Sequence, residues 1–127
     1  GDKVFLNYII DNSGLEENLY VIDCGWKGNI PLFIELAGVF GIPHLIMYDE
    51  DENKVTKDTD HKNLNKNIID KKNKFTLDIL SFPKNLEDYI GFEKTDTYSK
   101  PLLILNQLRD RKLKKEHRDV FINFLRK

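Results

Sequence analysis

The run His44-Leu45-Ile46-Met47-Tyr48 leads directly into Asp49-Glu50-Asp51, placing carboxylates at i and i+2 immediately after a short apolar segment. In α/β proteins, ligands bind in the crevice outside the carboxyl ends of the strands. Two aspartates at such a position can share a hard cation such as Mg²⁺, which takes oxygen ligands and only a few of them from protein. Asp49 to Glu52 are four consecutive acids, and their mutual repulsion has to be offset. A divalent cation would offset it directly, whereas full solvation of a surface loop is the alternative. The preceding apolar strand favours the cation, with Asp49 and Asp51 as ligands and Glu50 and Glu52 pointing away.

Further residues carry possible chemistry. Lys27-Gly28-Asn29 lies between a strand end and a helix start, where backbone N–H groups and a lysine could meet a phosphate. Alternatively, Asn29 only caps the helix and Gly28 only turns the chain. Lys100 stands beside the N-terminus of a helix opened by Ser99, where the helix dipole disfavours a cation. An anionic partner would explain it; a solvated lysine is the plain reading. Asp2, taken as a residue type alone, is a helix cap. His44, His61 and His117 have no spacing that suggests a metal or triad role.

These positions require elements to hold them. Val4, Phe5, Tyr8 and Ile9 recur at helical spacing and predict a helix over 3–11. The continuous apolar run Leu19 to Asp23 predicts a buried parallel strand. Asn29 and Pro31 open the next helix, with Leu32, Phe33, Leu36 and Phe40 as its buried face and Gly41 and Pro43 as its end. His44–Tyr48 is a strand, 50–60 is polar and without apolar period, and 61–72 is helical with Leu64, Ile68 and Ile69 on one face. Phe75, Leu77, Ile79 and Phe82 predict a further strand. A short helix over Asn85–Ile90 closes at Gly91. Helices opened at Ser99 and over about 114–126 complete the chain, the last one with Val120, Phe121, Phe124 and Leu125 apolar. Strands alternating with helices indicate an α/β fold: a small, mostly parallel sheet flanked by helices.

The chain has 127 residues, a length for one domain, with 40% hydrophobic and 11% aromatic residues, which excludes a disordered chain. Its net charge of −1 is unevenly spread. Residues 109–127 hold eight Lys/Arg against three acids, a net of +5, which leaves −6 on the remainder. A basic helical tail beside an acidic body fits a nucleic-acid contact combined with a cation site; a solvated amphipathic helix is the commoner meaning of such a run. Cys24 is the single cysteine, so no intrachain disulfide forms, and a reducing, cytoplasmic compartment is expected. No stretch approaches the roughly 18 apolar residues of a membrane span, so no membrane partner is expected.

Several segments together resemble a known family. Val21 to Pro31 with its Lys27-Gly28-Asn29-Ile30 loop, then Gly41-Ile42-Pro43 before the Asp49-Glu50-Asp51 strand, then Leu86-Glu87 with Gly91, and finally Lys100-Pro101 stand in this order. The set resembles the toprim domain of the overcoming-lysogenization-defect nucleases over about residues 1–108. The resemblance implies a toprim-like fold, DNA as partner, and two Mg²⁺ or Mn²⁺ ions held by Asp2, Asp49, Asp51 and Glu87. Glu87 as an ordinary surface residue remains open. It further implies that Lys100 faces the scissile phosphate, that an ATPase domain precedes in the same polypeptide, and that the full protein is a homodimer acting in defence against phage. The family's first motif places a glutamate, at the end of a strand, four residues before its second acid. Gly1-Asp2-Lys3-Val4 looks like the tail of that motif, so the glutamate and its strand are expected just before Gly1, and the piece by itself is expected to be impaired.

The functional expectation is therefore a metal-dependent DNA endonuclease domain. Two other classes stand beside it. One is a phospho-acceptor receiver domain, in which Asp23 at a strand end and Lys100-Pro101 would have roles. The other is an interaction domain that keeps the toprim fold without its chemistry.

Overall fold

The computed structural model describes residues 2–12, 14, 19–52, 60–91, 108 and 113–127. They divide into two compact units. One holds residues 24–85 with Lys127, and the other holds residues 1–23 and 86–126.

The unit of residues 24–85 contains the sheet. A 3₁₀ turn, Lys27–Asn29, leads into helix α2, Ile30–Val39, whose first turn carries Pro31. Pro is tolerated there because the first N–H groups of a helix have no internal acceptor. The helix stops at Gly41, whose φ of +66° is open to glycine without steric cost. The amide of Ile42 then bonds the carbonyl of Ala37 at 2.8 Å and that of Gly41 bonds Gly38 at 3.2 Å, satisfying carbonyls that would otherwise be orphaned. Strand β1, His44–Asp49, pairs in parallel with β2, Thr76–Phe82, ending in register at Asp49 opposite Phe82. Parallel strands need a crossover, and helix α3, His61–Lys71, lies within it. Ile46 and Tyr48, two residues apart on β1, bury one face against Ile34 of α2 and Ile68 of α3, with Ile30 and Ile79 packed around them. Asn73 ties the entry of β2 to α2. Its Nδ2 donates to the carbonyl of Ile34 at 3.2 Å, and its Oδ1 accepts from the amide of Phe75 at 2.9 Å.

The second unit is helical: α1, Asp2–Asn12; α4, Leu86–Ile90; and α5, Lys115–Leu125. Phe5 of α1 and Phe121 of α5 meet edge-to-face with ring centroids 4.7 Å apart, an arrangement favoured by the ring quadrupoles. Tyr89 of α4 approaches Phe121 at 6.2 Å. The guanidinium of Arg118 donates to the carbonyl of Asn12 at 3.0 Å, a cation at the C-terminal end of α1.

The predicted α1, β1, α3, β2, α4 and last helix all form within a residue or two of the expected bounds, and the sheet is parallel and flanked by helices, as an α/β toprim-like fold requires. Four expectations are corrected. Residues 19–23 form no strand, and the apolar side chains of Tyr20 and Ile22 are 86% and 68% exposed. β-propensity measures the fit to a half-buried pleated surface, and no strand among the described residues pairs with this run. On α2, the expected inner face of Leu32, Phe33, Leu36 and Phe40 is the exposed one, and Ile34 is buried instead. The helix is apolar at almost every position, so periodicity does not choose a face. On α3, Ile68 is buried but Ile69 is exposed, and Asn65 takes the inward position. On β2, Leu77 is exposed because His44 pairs with Thr76 and Leu45 with Asp78. Leu77 is thus an extra, bulged residue, which breaks the alternation. The stretch 53–59 and the helix expected from Ser99 lie outside the described residues.

The exchanged faces of α2 give a direct test. Ile34→Ala, at the buried position of α2, should lower unfolding stability in urea by about 2–4 kcal/mol. Leu36→Ala and Phe40→Ala should each change it by no more than about 0.5 kcal/mol.

Candidate functional site

The acidic turn begins where β1 ends. The amide of Glu50 continues the ladder by donating to the carbonyl of Phe82 at 2.8 Å, and the amide of Asp51 donates to that of Lys84 at 3.2 Å. Asp51 has a φ of +52°, in the left-handed region that costs most L-residues about 1–2 kcal/mol. Aspartate is among the few non-glycine residues that enter it readily. The segment is therefore pinned to the end of β2 and the residues after it directly where β1 ends.

Donors converge on it. Lys27 Nζ donates to the carbonyl of Asp49 at 3.0 Å and to that of Glu50 at 2.9 Å. It lies 2.9 Å from Nδ1 of His61, which accepts in the tautomer that protonates Nε2. Asn65 Nδ2 donates to the same carbonyl of Glu50 at 2.8 Å and reaches Oε1 of Glu52 at 3.4 Å. Ser81 Oγ on β2 donates to Oε1 of Glu50 at 2.7 Å. The carbonyl of Glu50 thus uses both lone pairs on protein donors. Glu50 and Glu52, expected to point away, are tied back to β2 and α3.

The electrostatics follow from this packing. Burial holds the Lys27 ammonium below lysine's ordinary value of 10.5, and the charges of Asp51, Asp49, Glu52 and Glu50 oppose that shift. Burial raises the Tyr48 phenol, helped by the charges of Glu50 and Glu52 and opposed by its hydrogen bond with Ser81. Lys27 binds its proton less tightly folded than unfolded. Its contribution to stability therefore increases as pH rises towards 10.5 and is lowest below that window.

The Lys27 side chain is presented by a braced loop. Gly25 takes a φ of +88°. Asn29 occupies the N-cap position of α2 but makes no capping bond with its side chain; its Nδ2 instead donates to the carbonyl of Cys24 at 2.9 Å. A Cβ on Gly28 would fall 2.2 Å from the Trp26 ring, so the indole lies across that glycine.

The remaining expected site residues are placed as follows. Asp49 and Asp51 stand together with Lys27 and Asn29 in the unit of residues 24–85. Asp2, in the first turn of α1, and Glu87, in the first turn of α4, lie in the other unit. Glu87 is 2% exposed, which excludes an ordinary solvated surface glutamate. Lys100 lies outside the described residues. Among the described residues, no three His, Cys, Asp or Glu side chains gather closely enough to enclose a metal ion. The donor chemistry of Asp49 and Asp51 nonetheless fits Mg²⁺ or Mn²⁺, hard ions held by as few as one or two carboxylates with water and phosphate oxygens completing the shell. Sequence reasoning missed His61, Asn65 and Ser81. The signal for two of them was present: His61, Asn65 and Ile68 follow i, i+4, i+7 spacing, which puts both polar residues on the face of the buried isoleucine.

Residues 1–51 match the family model described as the overcoming lysogenization defect protein-like TOPRIM domain. The matched region spans α1, the braced loop, α2, β1 and the turn as far as Asp51. No curated protein and no solved structure matches the chain. TOPRIM domains are generally nuclease- or topoisomerase-like, metal-dependent modules that process nucleic acid. No helix among the described residues is long and apolar enough to cross a membrane.

Two outcomes are expected from this geometry. Asp51→Gly should leave unfolding stability unchanged or raise it by up to about 1 kcal/mol, whereas Asp51→Val should lower it by about 1–2 kcal/mol. Titration of the side-chain ¹⁵N resonance of Lys27 should give a midpoint below 10.5, with the displacement present at high salt because burial is its main cause.

Proposed function

We propose, from the match of residues 1–51 to the TOPRIM family model, that the chain is the nuclease domain of a Mg²⁺- or Mn²⁺-dependent DNA endonuclease. The observation that carries the reading is the acidic turn: Asp49 and Asp51 stand one residue apart on backbone pinned at the carboxyl end of a parallel strand. That is where an α/β sheet offers its ligand site. When bound, the ions would supply an activated water and charge neutralisation at the phosphodiester.

The chain's own residues do the rest. Asp49 and Asp51 would hold the metal through hard carboxylate oxygens. In the same reading Asp2 and Glu87 are further ligands, and Lys100 neutralises charge that builds on the scissile phosphate. The basic run 109–127 draws the DNA backbone without reading its sequence, which makes binding salt-dependent. An ATPase domain in the same polypeptide, a homodimer and a role in phage defence belong to this proposal through the family resemblance. A receiver domain is disfavoured because it needs Asp23 at a strand end, and residues 19–23 form no strand.

The test is Mn²⁺-dependent nicking of supercoiled plasmid by the protein carrying this domain. Wild type should relax the plasmid and lose the activity with chelator. Asp49→Ala and Asp51→Ala should each reduce the rate by at least about 100-fold, the scale for removing a group that stabilises a transition state electrostatically. Nicking that persists at the wild-type rate in Asp49→Ala would overturn the assignment.

A further inference from the structure

Lys27 was placed by its sequence in a loop suited to meeting phosphate, yet its ammonium is spent elsewhere. An ammonium has three N–H donors and no acceptor. The three contacts of Lys27, to the carbonyls of Asp49 and Glu50 and to Nδ1 of His61, lie at 2.9–3.0 Å and use all three. Any phosphate would have to displace one of them. Two of the acceptors are the carbonyls of successive residues in the acidic turn, so one side chain fixes two adjoining peptide planes. Those planes carry Asp49 on one side and Asp51 on the other.

Both ends of this brace are themselves held. Lys27 begins the 3₁₀ turn that runs into α2, and Asn29 fastens that turn to Cys24. His61 opens α3, and Asn65, one turn later, holds the carbonyl of Glu50 from the same helix. The turn is thus clamped between α2 and α3 through main-chain carbonyls, and its carboxylates are left to other partners.

We propose that Lys27 is the positioning residue of the metal site: by bonding the carbonyls of Asp49 and Glu50, its ammonium fixes the backbone that presents Asp49 and Asp51 to a divalent cation. The metal step of this proposal rests on the reading given under Proposed function, while the clamping step does not. The two roles open to a lysine here predict opposite signs. A simple counter-ion repels an incoming cation, so its removal tightens metal binding. A positioning residue orders the ligands, so its removal loosens binding in spite of the lost repulsion.

The experiment compares wild type, Lys27→Met and Lys27→Arg, with Asp49→Ala as the control for the metal reading and Ile68→Val as a control for general destabilisation. Two quantities are read: metal-free amide hydrogen exchange at Glu50 and Asp51, and Mn²⁺ affinity by calorimetry. Lys27→Met should speed exchange at both amides and weaken Mn²⁺ binding, each by about 10-fold or more, the scale of losing a charge-assisted hydrogen bond. Lys27→Arg, which keeps the charge but offers a planar fork, should recover only part of the affinity. Ile68→Val should leave Mn²⁺ affinity unchanged. Unaltered exchange at both amides in Lys27→Met overturns the clamp, and tighter Mn²⁺ binding in that variant reduces Lys27 to a counter-ion. If Asp49→Ala binds Mn²⁺ as well as wild type does, the metal reading fails, and the clamp is judged by amide exchange alone. If Lys27→Met does not fold, the wild-type chain decides: Lys27 Nζ should show scalar couplings across its hydrogen bonds to the carbonyl carbons of Asp49 and Glu50, and their absence overturns the proposal.

Discussion

The ammonium of Lys27, bonded to two successive carbonyls, is the contact that ties the acidic turn to the start of α2. Four adjacent carboxylates would favour an extended, solvated chain if nothing opposed their repulsion. Here the turn continues the parallel ladder through Glu50 and Asp51, the latter in left-handed backbone, and receives donors from α2's leading turn, α3 and β2. The 3₁₀ turn, α3 and β2 each deliver a polar group to the same few residues. The shared apolar core of Ile34, Ile46, Tyr48 and Ile68 keeps those elements in place. Burial pulls against the arrangement by disfavouring the charged lysine, and the surrounding acids oppose that tendency.

The two units differ in what holds them. The unit of residues 24–85 combines a small aliphatic core with a polar network at one end of its sheet. The other unit is packed by aromatic edges, Phe5 against Phe121 and Tyr89 against Phe121. Glu87 is buried in that second unit. Burial of a carboxylate is costly unless its charge is met, so its place in α4 is not explained by helix formation alone.

Much of this was legible in the sequence. Caps and stops such as Pro31, Gly41 and Gly91 locate the helices because their backbone demands are local. The strand into Asp49 was legible because an apolar run meets acids without a break. The faces were less so. α2 is apolar all round, so only its packing partners could choose Ile34 over Leu36. The run 19–23 has the composition of a strand, but a strand requires a neighbour, which composition does not supply. Leu77 departs from its alternation through a bulge whose cause is the register with His44. In the candidate site, the place of the two aspartates at a strand end was legible from the sequence, whereas Lys27's bonds to main-chain carbonyls were not, since such carbonyls leave no mark in a sequence. Asn65 did leave one, as a polar residue on an apolar helical face.

The left-handed backbone at Asp51 also narrows which acid can serve there. Of the two acidic residues, aspartate is the one with a side chain short enough to support itself against its own main chain in that conformation. Glutamate keeps the charge and the oxygen donors but lacks this local support. The choice of aspartate at position 51 is therefore dictated by the fold before any ion is considered. A substitution that conserves charge at this position does not conserve the turn.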